Sequence, residues 1–349
     1  MRGLRKVFVC LAISSRALSL IRKFVNAFRL NRNPDGTAAF PFLKRTRRSR
    51  AQILVYHRVN DEADPLFPGI PVQLFARQME YVAENYTVCS LDQIVQGLRS
   101  SGLPKNALCI TFDDGYKDNF LHAFPILKRL QLPATIFLAT GAIGSGKLLW
   151  HDRLFSAFRR TKALRLLRFG SELTTYSLAT AAQKQDALNA VLKFLWALPD
   201  AKRVECIDSL VENLRVEDFM NSDELMLDWK EIQAMSECNI QFGAHTVTHS
   251  ILAKLAPADA KREIVQSKEG IERHLRQTVK HFAYPVGRRE DFSDEIKALL
   301  QEAGYVSAVT TIAGSNSEGT DLYELHRATP WETDIDSFAL RLAALKFVS

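Results

Sequence analysis

The chain has 349 residues, 47% of them hydrophobic and 24% charged, which is enough apolar side chain for a large core and excludes global disorder. Its net charge of +7 is uneven: residues 1–50 carry thirteen Lys or Arg against the single acid Asp35, a net +12, which leaves −5 for the remainder. An acidic body without a reader motif argues against a nucleic-acid binder, and five scattered cysteines argue against a disulfide framework or a cysteine metal site.

Residues 1–50 read as a basic arm. Leu4, Val7, Phe8, Leu11, Leu18, Ile21, Val25 and Phe28 recur at helical spacing among Arg and Lys, the pattern of an amphipathic helix lying on a membrane surface. Met1–Lys6 followed by Val7–Ile13 also resembles a short secretory leader, although Arg16 ends the apolar run early. A disordered basic tail is the third reading, so peripheral membrane association, a cytoplasmic location and secretion all stay open.

Beyond the arm, the apolar run Ala51–His57 predicts a strand, and Phe75, Met79 and Val82 predict a helix over Val72–Asn85. Ser90-Leu91-Asp92-Gln93 is a capping box that opens the next helix. A second strand, Ala107–Phe112, ends in Asp113 and Asp114. A helical stretch through Phe120, Phe124, Leu127 and Leu130 leads to a third strand, Ala134–Ala139, and then to a loop at Gly141–Gly146 whose glycines are too scattered to cradle phosphate.

Residues of about 151–235 read as a helical insertion. Strand character returns at Ile240–Ala244, Lys280–Tyr284, Tyr305–Thr310 and Leu322–Leu325, with an amphipathic helix through Ile264, Ile271 and Leu275. Seven strands alternating with helices predict an α/β fold with a mainly parallel sheet, open or closed as a barrel. His57, Asp113, Asp114, Thr140, His245, Gly287 and His326 all fall at or just past carboxyl ends of strands, the face on which parallel barrels build their sites.

Two imidazoles four residues apart, His245 and His249, reach one ion if the segment coils by a helical turn. Asp113 and Asp114 add two carboxylates, one to bind a divalent metal and one free as a general base. Each motif also has an ordinary explanation: histidines at this spacing are common on surfaces, and Asp before Gly forms turns. Two like charges crowded at the end of an apolar strand, however, repel unless a cation or proton compensates them.

In this order and on these elements, Thr111-Phe112-Asp113-Asp114-Gly115 and His245-x-x-x-His249 resemble the NodB-homology polysaccharide deacetylases, a carbohydrate-esterase family, over roughly residues 50–330. The resemblance implies a distorted (β/α)7 barrel over residues 51–349. It implies a hydrolase that removes N-acetyl groups from an N-acetylglucosamine-containing exopolysaccharide, chitooligosaccharide or cell-wall glycan. Asp114, His245 and His249 would then hold a divalent metal, zinc by resemblance, with Asp113 as general base. His326, in Glu324-Leu325-His326-Arg327, matches the family's late Leu-x-His motif approximately and is the expected general acid.

The third motif departs from the pattern, because Tyr284-Pro285-Val286-Gly287 is preceded by Ala283 where many members carry Arg. Arg288 and Arg289 are the candidates to supply that charge, and the Tyr284 amide is the expected oxyanion donor. The family's Asp-x-x-Asp-Trp motif is not visible after Thr310. Tyr56-His57-Arg58-Val59 resembles a segment of the exopolysaccharide branch and places His57 in the cleft, unless it is a strand-end histidine bonded to backbone. Trp150 and Asp152 are expected to line the substrate groove, with a buried anchoring role as the alternative for Trp150. Two rival functions remain: hydrolysis of a non-sugar linear amide or ureide, and glycan binding with weak catalysis.

Overall fold

Strands buried on both faces read as continuous apolar runs, and such runs set the architecture here. The computed structural model describes residues 49–62, 64–166, 175–216 and 222–345, so the expectations for residues 1–48 lie outside the described residues. Its main sheet is built on six strands, β1 (Arg50–Tyr56), β2 (Ala107–Phe112), β3 (Ala134–Leu138), β4 (Ile240–Ala244), β5 (His281–Ala283) and β6 (Ser307–Val309). Neighbours in this order pair in parallel. A short strand at Asn316–Ser317 adds to the free side of β1 in antiparallel register, Arg50 opposite Ser317.

The helices that the patterning predicts fall between these strands. Helices α1 (Val72–Asn85) and α2 (Leu91–Ser100) follow β1, and α2 carries the expected capping box, with Ser90 and Gln93 bonded reciprocally. Between β3 and β4 come α3 (Trp150–Arg160), α4 (Ala181–Ala197) and α5 (Asp200–Asn213), and between β4 and β5 comes α6 (Pro257–Leu275). Helix α7 (Ile335–Leu345) is the last described element. No described helix is long and apolar enough to cross a membrane.

Side-chain alternation divides the core. Ala51, Ile53, Cys109, Phe137, Ala283, Val309 and Leu325 share an inner cluster with Leu91, Ile94 and Leu98 of α2. Their neighbours Leu54, Tyr56, Leu108, Ile110 and Phe112 face outward and pack with Phe75, Met79 and Val82 of α1. The insertion has its own core, in which Leu154, Phe158, Leu188, Val191, Ile207 and Leu210 are buried. It also holds two short paired antiparallel strands, Arg165–Leu166 with Tyr176–Ser177, where the patterning predicts helix.

The seventh strand differs from its prediction. Asp321 turns the chain by accepting the Tyr323 amide on its side chain and the Glu324 amide on its carbonyl, so Leu322–Glu324 form a turn. The seventh position is filled instead by single parallel bridges, Leu325 to Val309 and Ala328 to Leu54. Those bridges carry hydrogen bonds from the Ala328 amide to the Ile53 carbonyl at 2.8 Å and from the Thr310 amide to the Leu325 carbonyl at 2.9 Å. The curled sheet is thereby closed into a distorted (β/α)7 barrel by an irregular segment, residues 325–328.

Candidate active site

Asp113 and Asp114 follow β2, His57 follows β1 and His245 follows β4, so the barrel brings all four to one face. Past Asp113 the chain enters a left-handed turn at Asp114 (φ 75°) and Gly115 (φ 87°), which aims adjacent carboxylates in different directions. A side chain at Gly115 would also meet Leu138 at 2.9 Å, so the glycine answers both a backbone and a packing demand. Asp113 and Asp114 are each 2% exposed.

The segment His245–His249 is not the helical turn expected from its spacing. It is a bend with left-handed residues at Thr246 (φ 65°) and His249 (φ 57°). Glu263 of α6 holds it, accepting the Val247 amide at 2.7 Å, the Thr248 amide at 2.9 Å and the Thr248 hydroxyl at 2.9 Å. The bend carries the two imidazoles to Asp114: His245 Nε2 lies 3.4 Å and His249 Nε2 3.3 Å from Asp114 Oδ1.

Asp114, His245 and His249 form a buried group of potential ligand atoms within 4.8 Å of one another. Asp114 Oδ1, at their centre, is buried without a hydrogen-bond partner, and an orphaned acceptor of that kind costs about 1–3 kcal/mol unless something compensates it. The His245 ring Nδ1 is 2.7 Å from the Ala283 carbonyl; donation there leaves the Nε2 lone pair free, the arrangement that presents imidazole to a metal. Burial pushes the His249 imidazole well below its usual range despite Asp114. Burial alone would raise Asp114, but His249, His245 and His151 outweigh it and hold the carboxyl well below its usual range. These residues fit a divalent cation.

Asp113 has a different partner. Arg327 grips it with Nη1 on Oδ1 at 2.8 Å and Nη2 on Oδ2 at 2.7 Å. Burial would raise this carboxyl, yet Arg327, then His245 and His57, hold it below its usual value. The charge expected from Arg288 or Arg289 therefore comes from elsewhere: Arg288 is bonded to Asp291 at 2.9 Å and Arg289 to Glu324 at 2.8 Å.

The same segment explains why His326 is not brought into the cluster. Leu325 lies in the inner core and Ala328 in the outer one, and Arg327 points inward to Asp113, so the intervening His326 points out. Its ring lies against Gly314, where an added Cβ would meet Nδ1 at 2.6 Å, and the charge that acts on it is that of Glu324. His57, by contrast, shares the inward parity of Ile53 and acts electrostatically on Asp113, Asp114 and His249. Its backbone is fixed: its carbonyl accepts from Asn119 Nδ2 at 2.8 Å, and the next residue, Arg58, pairs with Asp118 at 2.8 Å. Asn60 donates to the same Asp118 carboxylate at 2.7 Å.

The remaining cleft candidates are structural in part. The Tyr284 amide donates to the Val309 carbonyl at 3.2 Å, its hydroxyl donates to Tyr323, and its ring stacks on Phe292, so that amide is engaged in the sheet and not open to an oxyanion. Pro285 is buried beside it. Trp150 anchors the insertion to the site, donating from Nε1 to the His249 carbonyl at 3.1 Å. Asp152 is buried and accepts from the Tyr116 hydroxyl at 3.0 Å; the same hydroxyl lies 3.0 Å from His151 Nε2. The His151 ring packs edge-on against His249 at 4.6 Å.

A parallel barrel with two imidazoles and two carboxylates gathered at its strand ends has the outline of a hydrolase. The family model for polysaccharide deacetylase matches residues 100–308, more than half of the chain, and the chain belongs to that family. The Bacillus subtilis protein YxkH, named as a polysaccharide deacetylase, is 22% identical over 303 residues, which cover 86% of this chain and 78% of YxkH. The Escherichia coli Poly-beta-1,6-N-acetyl-D-glucosamine N-deacetylase is 34% identical over 121 residues, 34% of this chain but 16% of that protein. Among solved structures, the Streptococcus pyogenes deacetylase PplD in complex with acetate shares the fold, with a TM-score of 0.59 and 20% identity over 84% of this chain and 97% of PplD.

Proposed function

We propose that the protein is a metal-dependent N-deacetylase acting on an N-acetylglucosamine-containing oligo- or polysaccharide. The observation that carries this reading is Asp114 Oδ1, buried without a hydrogen bond and 3.3–3.4 Å from two imidazole nitrogens, with an arginine-paired second carboxylate beside it. The partial match to an E. coli protein named for deacetylating poly-N-acetylglucosamine supports the substrate class.

Asp114, His245 and His249 would hold the cation, zinc by family resemblance, which supplies Lewis acidity toward the amide carbonyl and acidifies water. Asp113, kept ionised by Arg327, accepts the proton as the water oxygen bonds to the acetyl carbon. Breakage of the C–N bond leaves an amine that takes up a proton, and His57, inward-facing with its backbone pinned, is positioned to give it. The products are the glucosamine unit and acetate.

Purified protein loaded with zinc should release acetate from chitooligosaccharides or from poly-β-1,6-N-acetylglucosamine. Absence of acetate from every N-acetylated glycan, together with turnover of small linear amides, would overturn the substrate class.

A further inference from the structure

We infer that Arg327 is the positioning residue for the Asp113 carboxylate, delivered by the segment that closes the barrel and not by position 283. This rests on the reading of Asp113 as the proton acceptor.

A planar guanidinium matched to both oxygens of a carboxylate fixes its plane as well as its place, which a point charge does not. Here every arm of the fork is used. Nε donates to the Thr310 carbonyl at 2.7 Å, Nη1 reaches Thr111 Oγ1 at 3.2 Å as well as Asp113, and Nη2 takes the other Asp113 oxygen. The Thr111 hydroxyl in turn donates to the Leu54 carbonyl at 2.7 Å. The arginine is 1% exposed, so solvent does not compete for these bonds. The fork occupies the two lone pairs that face it and leaves the opposite ones as the only places where Asp113 takes a proton.

Position 283 serves another purpose. Its side chain lies in the inner core and its carbonyl orients His245. Ala283 pairs with Val309, and Val309 bridges to Leu325, so Arg327 stands two strands away and one inward position higher. Through Leu54, Ala328 is level with Ile110, which puts Arg327 level with Cys109, four residues before Asp113, so the contact is made by the tip of an extended side chain. A buried ion pair is poor evidence of a purely stabilising role, since apolar replacement is commonly neutral or better.

The test uses the full chain with metal and an acetate-releasing glycan. Arg327→Lys keeps the charge and loses the fork. It should retain metal and KM within about twofold while kcat falls about 100-fold, the scale on which misplacement of a catalytic group is felt. Arg327→Ala should fall further and recover part of its kcat in millimolar guanidinium at concentrations that leave the fold intact by circular dichroism. Wild-type kcat in Arg327→Lys, or metal loss in step with kcat and no guanidinium recovery in Arg327→Ala, would overturn the inference. Asp113→Asn separates the two claims: an active Asp113→Asn refutes the base itself, whereas an inactive one beside a fully active Arg327→Lys refutes only the positioning role.

Discussion

The Ala283 carbonyl lies 2.7 Å from His245 Nδ1, so a residue that lacks the arginine common at its position still serves the site through its backbone. The contact is made by the backbone, so the informative changes lie at the residues whose side chains do the work.

Asp113→Asn should abolish turnover by 10²-fold or more, the usual worth of a general base being about 10²–10⁴, with metal content near one equivalent. His249→Ala should lose the metal. Elemental analysis alongside acetate release checks both, and equal metal loss in the two variants would contradict the division of labour between the carboxylates.

Glu263 supports the imidazoles without touching them, through three hydrogen bonds to Val247 and Thr248. Glu263→Ala should weaken metal affinity by about 10–100-fold, as losses behind a ligand generally do. Competition against a chelator of known affinity reads this directly.

Asp118 gathers Arg58, Asn60 and the Val59 amide in a buried cluster. Asp118→Ala leaves the 8%-exposed Arg58 with only its 3.6 Å pair to the 61%-exposed Glu62, and breaking a buried pair costs about 3–5 kcal/mol when the remaining charge is poorly compensated. Urea unfolding should show a loss of that order.

Asp152 gives a pH signature in the metal-free protein. Burial, reinforced by Asp114, pushes its carboxyl up to about 6. A raised carboxyl pKa means that the folded state favours the protonated form, so this group's contribution is fully present below about pH 4 and is lost as pH rises through about 6. Asp152→Asn removes that dependence and should stabilise the protein above pH 6, by roughly 3 kcal/mol at most. Denaturation midpoints of the two proteins at pH 5 and pH 8 give the sign; a wider gap at pH 5 would refute the assignment.

Six of the strands, and the clustering of Asp113, Asp114 and His245 at their ends, were legible because apolar runs end abruptly in polar residues at Phe112-Asp113 and Ala244-His245. The role of the late segment was not, because His326 and Arg327 are adjacent and only the register of the seventh position decides which points inward. Two single bridges set that register, and no periodicity in Leu325-His326-Arg327 encodes them. Glu263 was equally hidden: on α6 it is one acid among many, and its partners are backbone amides. The engaged Tyr284 amide followed from pairing with β6, a contact that its own motif does not reveal.

The helical insertion grips the site at both of its ends. Trp150 at its entry bonds the His249 carbonyl, and at its exit the Leu227 amide bonds the Gly115 carbonyl while the Lys117 amide bonds the Leu225 carbonyl. On the proposed reading of the site as a cation site, ordering of the insertion and loading of the site would be linked equilibria, each drawing on free energy from the other. Ion uptake should slow amide exchange around α3, and a protease cut within the insertion should raise the rate at which the ion escapes.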